Sequence, residues 1–307
     1  MAMVQRVVQQ FKKVVIKTSS PLPGVKNYVT GIIRVGRVEM GSLLLVAASL
    51  HFSVLAEDSL HTGFNQLLVE HVKPIANGAS TQVDYSGFKR DSARLTTYLE
   101  SLAKVPKATF DSWENDDQLA FLINAYNAYT IELILTKYPG INSIRDLGGF
   151  FSSPWKKEIA PLLGKKRTLD EIEHELIRGG NKYNEPRIHF AVNCASIGCP
   201  ALREEAYIGA RLDLQLEAQT KRFLSDTSRN RMDGDILKLS KIFDWYGDDF
   251  ESAGKTRQSW RGTSTLNEFI LLYKDALKLS PQQVSALVQG NANIEFLEYD
   301  WALNDTQ

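Results

Sequence analysis

The sequence predicts an α+β fold, mainly helical with a small mixed or antiparallel sheet. Three observations predict it. A long, almost wholly apolar helical stretch occupies the middle of the chain, a second helix carries explicit start and stop signals, and short runs alternate apolar and polar residues with period two. The 307 residues, 43% hydrophobic and 23% charged, have ordinary globular composition and suffice for one large domain or two small ones.

The first 56 residues stand apart. Residues 1–40 carry seven Lys or Arg against the single acid Glu39, and residues 41–56, GSLLLVAASLHFSVLA, carry no charge. A basic flank, an apolar run and a small-residue end at Val54-Leu55-Ala56 follow the order of a secretory signal. The 16-residue run is shorter than the roughly 20 residues a membrane-spanning helix needs. Cleavage near Ala56 and export, periplasmic or secreted, are therefore expected, with no stable membrane span afterwards. An uncleaved signal would instead leave a membrane anchor. Because 39 residues precede it, Met40 is a second candidate start. Residues 57–307 are expected to form one domain, its motif-bearing core spanning about 83–304. That domain holds 29 bases against 35 acids, which disfavours nucleic-acid binding, since no excess of positive charge is present to neutralise phosphates.

The elements follow in order. An amphipathic helix over Phe64–Ile75 is broken at Asn77-Gly78, and Val83-Asp84-Tyr85 opens the main domain. Asp91–Val105 is a helix with Leu95, Tyr98, Leu99 and Leu102 on one face. In WENDDQLAFLINAYNAYTIELILTKYPG (113–140), acids crowd the first turn, Lys137 sits in the last, and Pro139-Gly140 stops the helix. Its centre is apolar nearly all round, so it is expected to be buried. Asn124 and Asn127 share one face of it, and as buried amides both need partners. They either pin loop backbone or support catalysis and substrate binding.

Thr168-Leu169-Asp170-Glu171 is a capping box opening a helix that ends at Gly179-Gly180. His174 lies off its apolar stripe, one turn after Asp170, at a spacing that lets the carboxylate orient the imidazole. RIHFAVNC (187–194) alternates as a half-buried strand, which would point Cys194 away from His189 unless the chain bends at Asn193. Beyond it come a helix over Leu212–Leu224, a strand over Ile236–Phe243, the aromatic run FDWYGDDF (243–250), a helix over Leu266–Leu277 and a last helix from Ser280-Pro281 to near Gly290. Asp244 and Asp300 are expected to satisfy buried donors.

The only two cysteines, Cys194 and Cys199, admit several chemistries. A zinc site would need a second cysteine pair or an H-x₃₋₅-H spacing, and the chain has neither. A thioredoxin-like centre would need C-x-x-C. A disulfide suits an exported protein and would stabilise by roughly 2 kcal/mol through so short a loop. A nucleophile at the end of a strand would find free turn amides to lower its pKa and hold an oxyanion. Disulfide and nucleophile both remain open on the residues alone.

Five strings together, INAYNAYTIELIL, RTLDEIEHELIR, RIHFAVNCASIGCPAL, IFDWYGDDF and YDWALN, resemble the domain-of-unknown-function 547 (DUF547) family from about Val83 to the C-terminus. The resemblance implies a relative of papain-like and transglutaminase-like thiol enzymes with permuted strand order. It also implies Cys194 and His174 as the candidate catalytic pair.

The function expected is an exported cysteine-dependent hydrolase or acyltransferase acting on an amide or thioester of a small-molecule or peptide-like substrate. Cys194 attacks, His174 is base and then acid, Asp170 orients it, and Asn124, Asn127, His189 and Cys199 support catalysis or bind substrate. No metal or other cofactor is expected. The alternatives are a non-catalytic exported binding domain with a Cys194–Cys199 disulfide, and a thiol redox protein in which Cys199 resolves an oxidised Cys194.

Overall fold

The chain is built around one buried helix, and the elements on either side are best understood by what they place against it. A computed structural model describes residues 59–149, 152–252, 255 and 258–306. The expected signal over residues 1–56 lies outside the described residues.

Helix α1 (Thr62–His71) leads into the antiparallel hairpin β1 (Val72–Ile75) and β2 (Ser80–Val83), in register Val72 to Val83 and Ile75 to Ser80. The helix expected to reach Ile75 stops at His71 because Pro74 lacks an amide donor and drives the residue before it into extended backbone. Asp84 then caps α2 (Tyr85–Arg90), its carboxylate accepting from the Gly87 amide at 2.7 Å. Helices α3 (Ser92–Ala103) and α4 (Lys107–Asp111) complete the first wall.

Helix α5 (Asn115–Leu135) is the central element, with Asp116 and Asp117 in its first turn. It is buried on every side: Phe64, Leu67, Leu95, Leu102 and Phe110 pack in one core with it, as do Ile144, Leu162, Ile172, Ile188 and Leu212 from later in the chain. Each such side chain removed from water stabilises the fold by roughly 1.5–3 kcal/mol. The hairpin β3 (Ala160–Leu162) and β4 (Lys165–Arg167) follows.

The expected capping box forms: the Thr168 amide donates to Glu171 Oε2 at 2.7 Å and the Glu171 amide to Thr168 Oγ1 at 3.0 Å. The helix it opens, Glu171–Ile177, is wound as a π-helix, a form that recurs at functional sites.

The strand expected over 187–194 is not a strand. Residues Pro186–Phe190 form a 3₁₀ turn, with Pro186 at its first position and Glu185 accepting from the Arg187 amide at 3.1 Å. Proline preset the turn, and the apparent alternation came from apolar residues facing two different cores. The face argument that separated His189 from Cys194 falls with the strand.

Helix α6 (Leu212–Ser225) precedes β5 (Arg231–Asp233) and β6 (Ile236–Leu239). Strand β6 ends four residues earlier than expected. The Ser240 amide donates to Asn230 Oδ1 at 3.1 Å, and the chain turns into α7 (Ile242–Trp245) and α8 (Gly247–Phe250). Helix α9 (Leu266–Leu272) is shorter than expected, α10 (Pro281–Val288) starts at the expected Ser280 cap, and β7 (Asn293–Phe296) pairs parallel with β6, which pairs antiparallel with β5. Phe190, Phe223, Phe243, Phe250 and Phe269 form a second core. The architecture is α+β, with small antiparallel and mixed sheets. Among the described residues no helix is long and apolar enough to cross a membrane.

Candidate functional site

Residues 190–200 run from one core to the other, Phe190 in the second and Ala191, Val192 and Ala195 in the first. Helix α5 fixes this crossing. Asn127 Nδ2 donates to the Ala191 carbonyl at 3.0 Å, and the Asn193 amide donates to Asn127 Oδ1 at 2.8 Å. One turn earlier Asn124 does the same for Tyr207, at 2.8 and 2.9 Å. Both amides pin loop backbone, and Asn127 holds the residues just before Cys194.

The turn that follows is tightly committed. Ala195 sits at φ 63°, a left-handed conformation uncommon for a residue with a Cβ. The amide of Ala195 donates to Asn193 Oδ1, that of Ile197 to the Ala302 carbonyl, that of Gly198 to the Asp300 carbonyl and that of Cys199 to the Ser196 carbonyl. These four amides are spent inside the fold, so they are not the free oxyanion donors the sequence suggested. Gly198 is needed for close approach: a Cβ there would meet Tyr299 Cε2 at 2.9 Å and the Asp300 amide nitrogen at 3.0 Å.

That approach delivers Tyr299 to the cysteines. Cys194 and Cys199 are joined by a disulfide, with Cα atoms 6.2 Å apart. Tyr299 Oη lies 3.0 Å from Cys194 Sγ and 3.1 Å from Cys199 Sγ. Ser196 Oγ lies 3.1 Å from Cys194 Sγ and 3.0 Å from Tyr299 Oη. Burial pushes the Tyr299 phenol above its ordinary pKa, so it stays a protonated donor.

Both sulfurs line a cavity of about 280 Å³ together with His189 and His174. His189 is buried and stacked on Tyr246, ring centroids 4.0 Å apart. Its Nε2 lies 2.7 Å from Asp249 Oδ2, and Arg178 Nε donates to the same oxygen at 2.6 Å. Burial would raise the Asp249 pKa, but hydrogen bonds from His189 and Arg178 outweigh it and hold the carboxyl well below the usual range. Burial dominates at His189 and lowers its pKa despite Asp249. The pair is therefore an ionised carboxylate and a neutral imidazole whose Nε2–H faces it. His189 Nδ1 is buried with no hydrogen-bond partner among the described residues.

His174 is exposed, and its partner is Arg178 rather than Asp170: Nδ1 lies 2.7 Å from Arg178 Nη1. Arginine only donates, so this nitrogen accepts. Asp170 is half-buried and lines the same cavity. Glu173 is buried and lines the same cavity as Tyr126 and Tyr246.

The structure thus brings Cys194, Cys199, His174, His189 and Asp170 to one cavity, with Asn127 behind it and Asn124 clamping a different loop. Asp249, Glu173, Tyr246 and Tyr299 were missed from sequence. FDWYGDDF did signal a cluster, but Asp244 and Asp300, expected to satisfy buried donors, are exposed, the first pairing with Lys241 at 2.9 Å and the second accepting from the Ala302 amide. Away from this cavity, Glu70, His71 and Asp91 place ligand-type atoms within 4.8 Å of one another, but Arg94 already pairs with Glu70 at 2.6 Å.

Residues 110–224 match the model of a family described as "Protein of unknown function, DUF547". No curated protein and no solved structure matches the chain.

Proposed function

We propose that this chain, which over residues 110–224 belongs to the DUF547 family, is a thiol enzyme that cleaves or transfers an acyl group from an amide or thioester. One observation carries the proposal. The cavity that holds Cys194 also holds His189, with Nδ1 unpartnered and Nε2 fixed by Asp249. A base oriented by a carboxylate, in the same cavity as a nucleophile, follows the logic of a catalytic triad.

The Cys194–Cys199 bridge is first reduced by a dithiol, which becomes a disulfide. The Cys194 proton then passes to His189 Nδ1 and the sulfur adds to the substrate carbonyl carbon. Tyr299 and Ser196 hydroxyls, already beside the sulfur, donate to the developing oxyanion. Collapse breaks the C–N or C–S bond, and the leaving group takes the proton from His189. Water, or an acceptor amine or thiol, then releases the acyl group. His174, first suggested as the base, lies on the cavity rim with Arg178 as partner, which favours His189 for the role.

The proposal includes export after cleavage near Ala56, and a permuted relationship to papain-like and transglutaminase-like thiol enzymes. In support of the latter, His189, held by Asp249, shares a cavity with Cys194, in the chain order His189, Cys194, Asp249.

A second reading has its own support. The disulfide itself lines the cavity, as a thiol redox protein or a disulfide-stapled binding domain would require. Alkylation followed by mass spectrometry separates the readings. After reduction, Cys194 should react with a thioester probe to give an acyl adduct that Cys194→Ala lacks and Cys199→Ala retains. An adduct on neither cysteine, with reversible dithiol oxidation intact, would replace the acyl-transfer proposal with the redox one.

A further inference from the structure

We infer that the cavity beside Cys194 receives a quaternary ammonium group, so that the substrate of the proposed enzyme is a small organic cation. The inference rests on reading this cavity as the substrate site.

The cavity walls are aromatic: Tyr126, Trp155, Trp245, Tyr246, Tyr299 and Trp301 all contribute. Trp301 packs against Trp155, Trp245 and Tyr299 with ring centroids 5.8, 5.7 and 4.5 Å away, so four of these rings form one contiguous cluster. Such faces attract a cation through their quadrupole, most strongly where water is excluded. Two of these rings already take a cation, Arg145 lying 5.3 Å from the Trp301 centroid and Arg178 4.9 Å from that of Tyr246. Neither arginine lines the cavity.

The polar groups point to the same charge. Asp170 and Glu173 supply carboxylates, and among the described residues neither has a Lys or Arg within ion-pair distance. His174 adds a ring whose Nδ1 is already occupied by Arg178, and no lysine or arginine lines the cavity. Glu173 is 5% exposed and among the described residues has no ion-pair partner, and a buried carboxylate left without a compensating charge is costly.

The type of cation follows from acceptor capacity. A primary ammonium brings three N–H donors that each need an acceptor. The lining offers six aromatic rings against the two carboxylates of Asp170 and Glu173, so most of the surface a bound cation meets is π face rather than hydrogen-bond acceptor. A quaternary ammonium brings no N–H, is weakly hydrated, and asks only for π faces and a diffuse negative charge. At about 280 Å³ the cavity is at the small end of ligand sites, which run from about 300 to 1,000 Å³, and suits a head group rather than a long chain.

Titration of the full chain with choline, followed by tryptophan fluorescence, tests this, since Trp155, Trp245 and Trp301 line the cavity. Choline should bind about tenfold more tightly than its uncharged isostere 3,3-dimethyl-1-butanol, and more tightly than ethanolamine. Glu173→Gln, which keeps shape and hydrogen bonding, should weaken choline several-fold and leave the alcohol unchanged. Equal affinity for choline and the alcohol, preference for ethanolamine, or no saturable binding of choline would each overturn the inference. The wild-type comparison needs no variant to fold. It also needs no turnover, so binding of choline without acylation of Cys194 would leave this inference standing while the thiol-enzyme proposal fails, and acylation without choline preference would do the reverse.

Discussion

At His61 a single buried imbalance sets a pH response. The imidazole is 3% exposed, its Nδ1 lies 2.7 Å from Tyr98 Oη, and burial lowers its pKa to about 4. In the unfolded chain the same group titrates near 6.5. Below pH 6.5 the unfolded state therefore binds a proton the folded state refuses, and stability falls as pH drops from about 6.5 to about 4. The loss should approach about 3 kcal/mol across that window, read by urea unfolding at pH 7 and pH 4.5, and His61→Phe should remove most of this slope. At His189 the expected effect is on rate. His189→Gln should slow acylation of reduced Cys194 by about 10²-fold or more, whereas His174→Gln should leave it nearly unchanged, measured with the thioester probe. Equal losses in the two variants would return the base to His174. Sequence alone favoured His174 because the expected strand pointed His189 away from Cys194 and the family resemblance implied His174. It could not show that a 3₁₀ turn, rather than a strand, carries His189 to the same cavity as Cys194.

The decisive element is the crossing from Phe190 to Pro200. Asn127 supplies both of its anchoring hydrogen bonds from α5, and removing them leaves buried backbone groups unsatisfied. Asn127→Ala should cost about 2–4 kcal/mol in urea unfolding, and Asn127→Asp, which sets a buried carboxylate against the Ala191 carbonyl, should cost at least as much. The Gly198 end of the crossing answers to Tyr299. Gly198→Ala should displace the C-terminal segment and slow acylation of Cys194 while leaving helix content by circular dichroism unchanged. The clamping role of Asn127 was legible as one of two alternatives, because two amides on one face of a buried helix must find partners. The Ile197 and Gly198 amides were not legible as occupied, since their acceptors, the Ala302 and Asp300 carbonyls, come from about a hundred residues later.

Across the whole molecule, the site draws on more chain than the matched family region. Residues 110–224 contain Cys194, His189, Asp170 and Glu173, but Tyr246, Asp249, Tyr299 and Trp301 come from later, and Phe64, Leu67 and Leu95, which cover α5, come from earlier. A fragment of residues 110–224 should therefore lack cooperative unfolding and fail to bind choline. Removing residues 297–307 should abolish choline binding, because Tyr299 and Trp301 go, and should lower stability, because the Val83–Asn304 and Val83–Thr306 backbone pairing goes with them. Differential scanning calorimetry and the fluorescence titration read the two effects.

The sequence by itself determined the α+β class, the buried central helix, the capping box at Thr168, and the need of Asn124 and Asn127 for partners. Each depends on contacts between residues close in the chain or on the periodicity of one element, which the residue order records directly. Tertiary structure alone decided which acid meets which histidine, that Glu173 is buried among tyrosines, and that Tyr299 reaches both sulfurs. Those outcomes depend on where α8 and the C-terminal segment dock against the crossing. Docking is settled by the shapes of two cores acting together, and no local pattern carries that information.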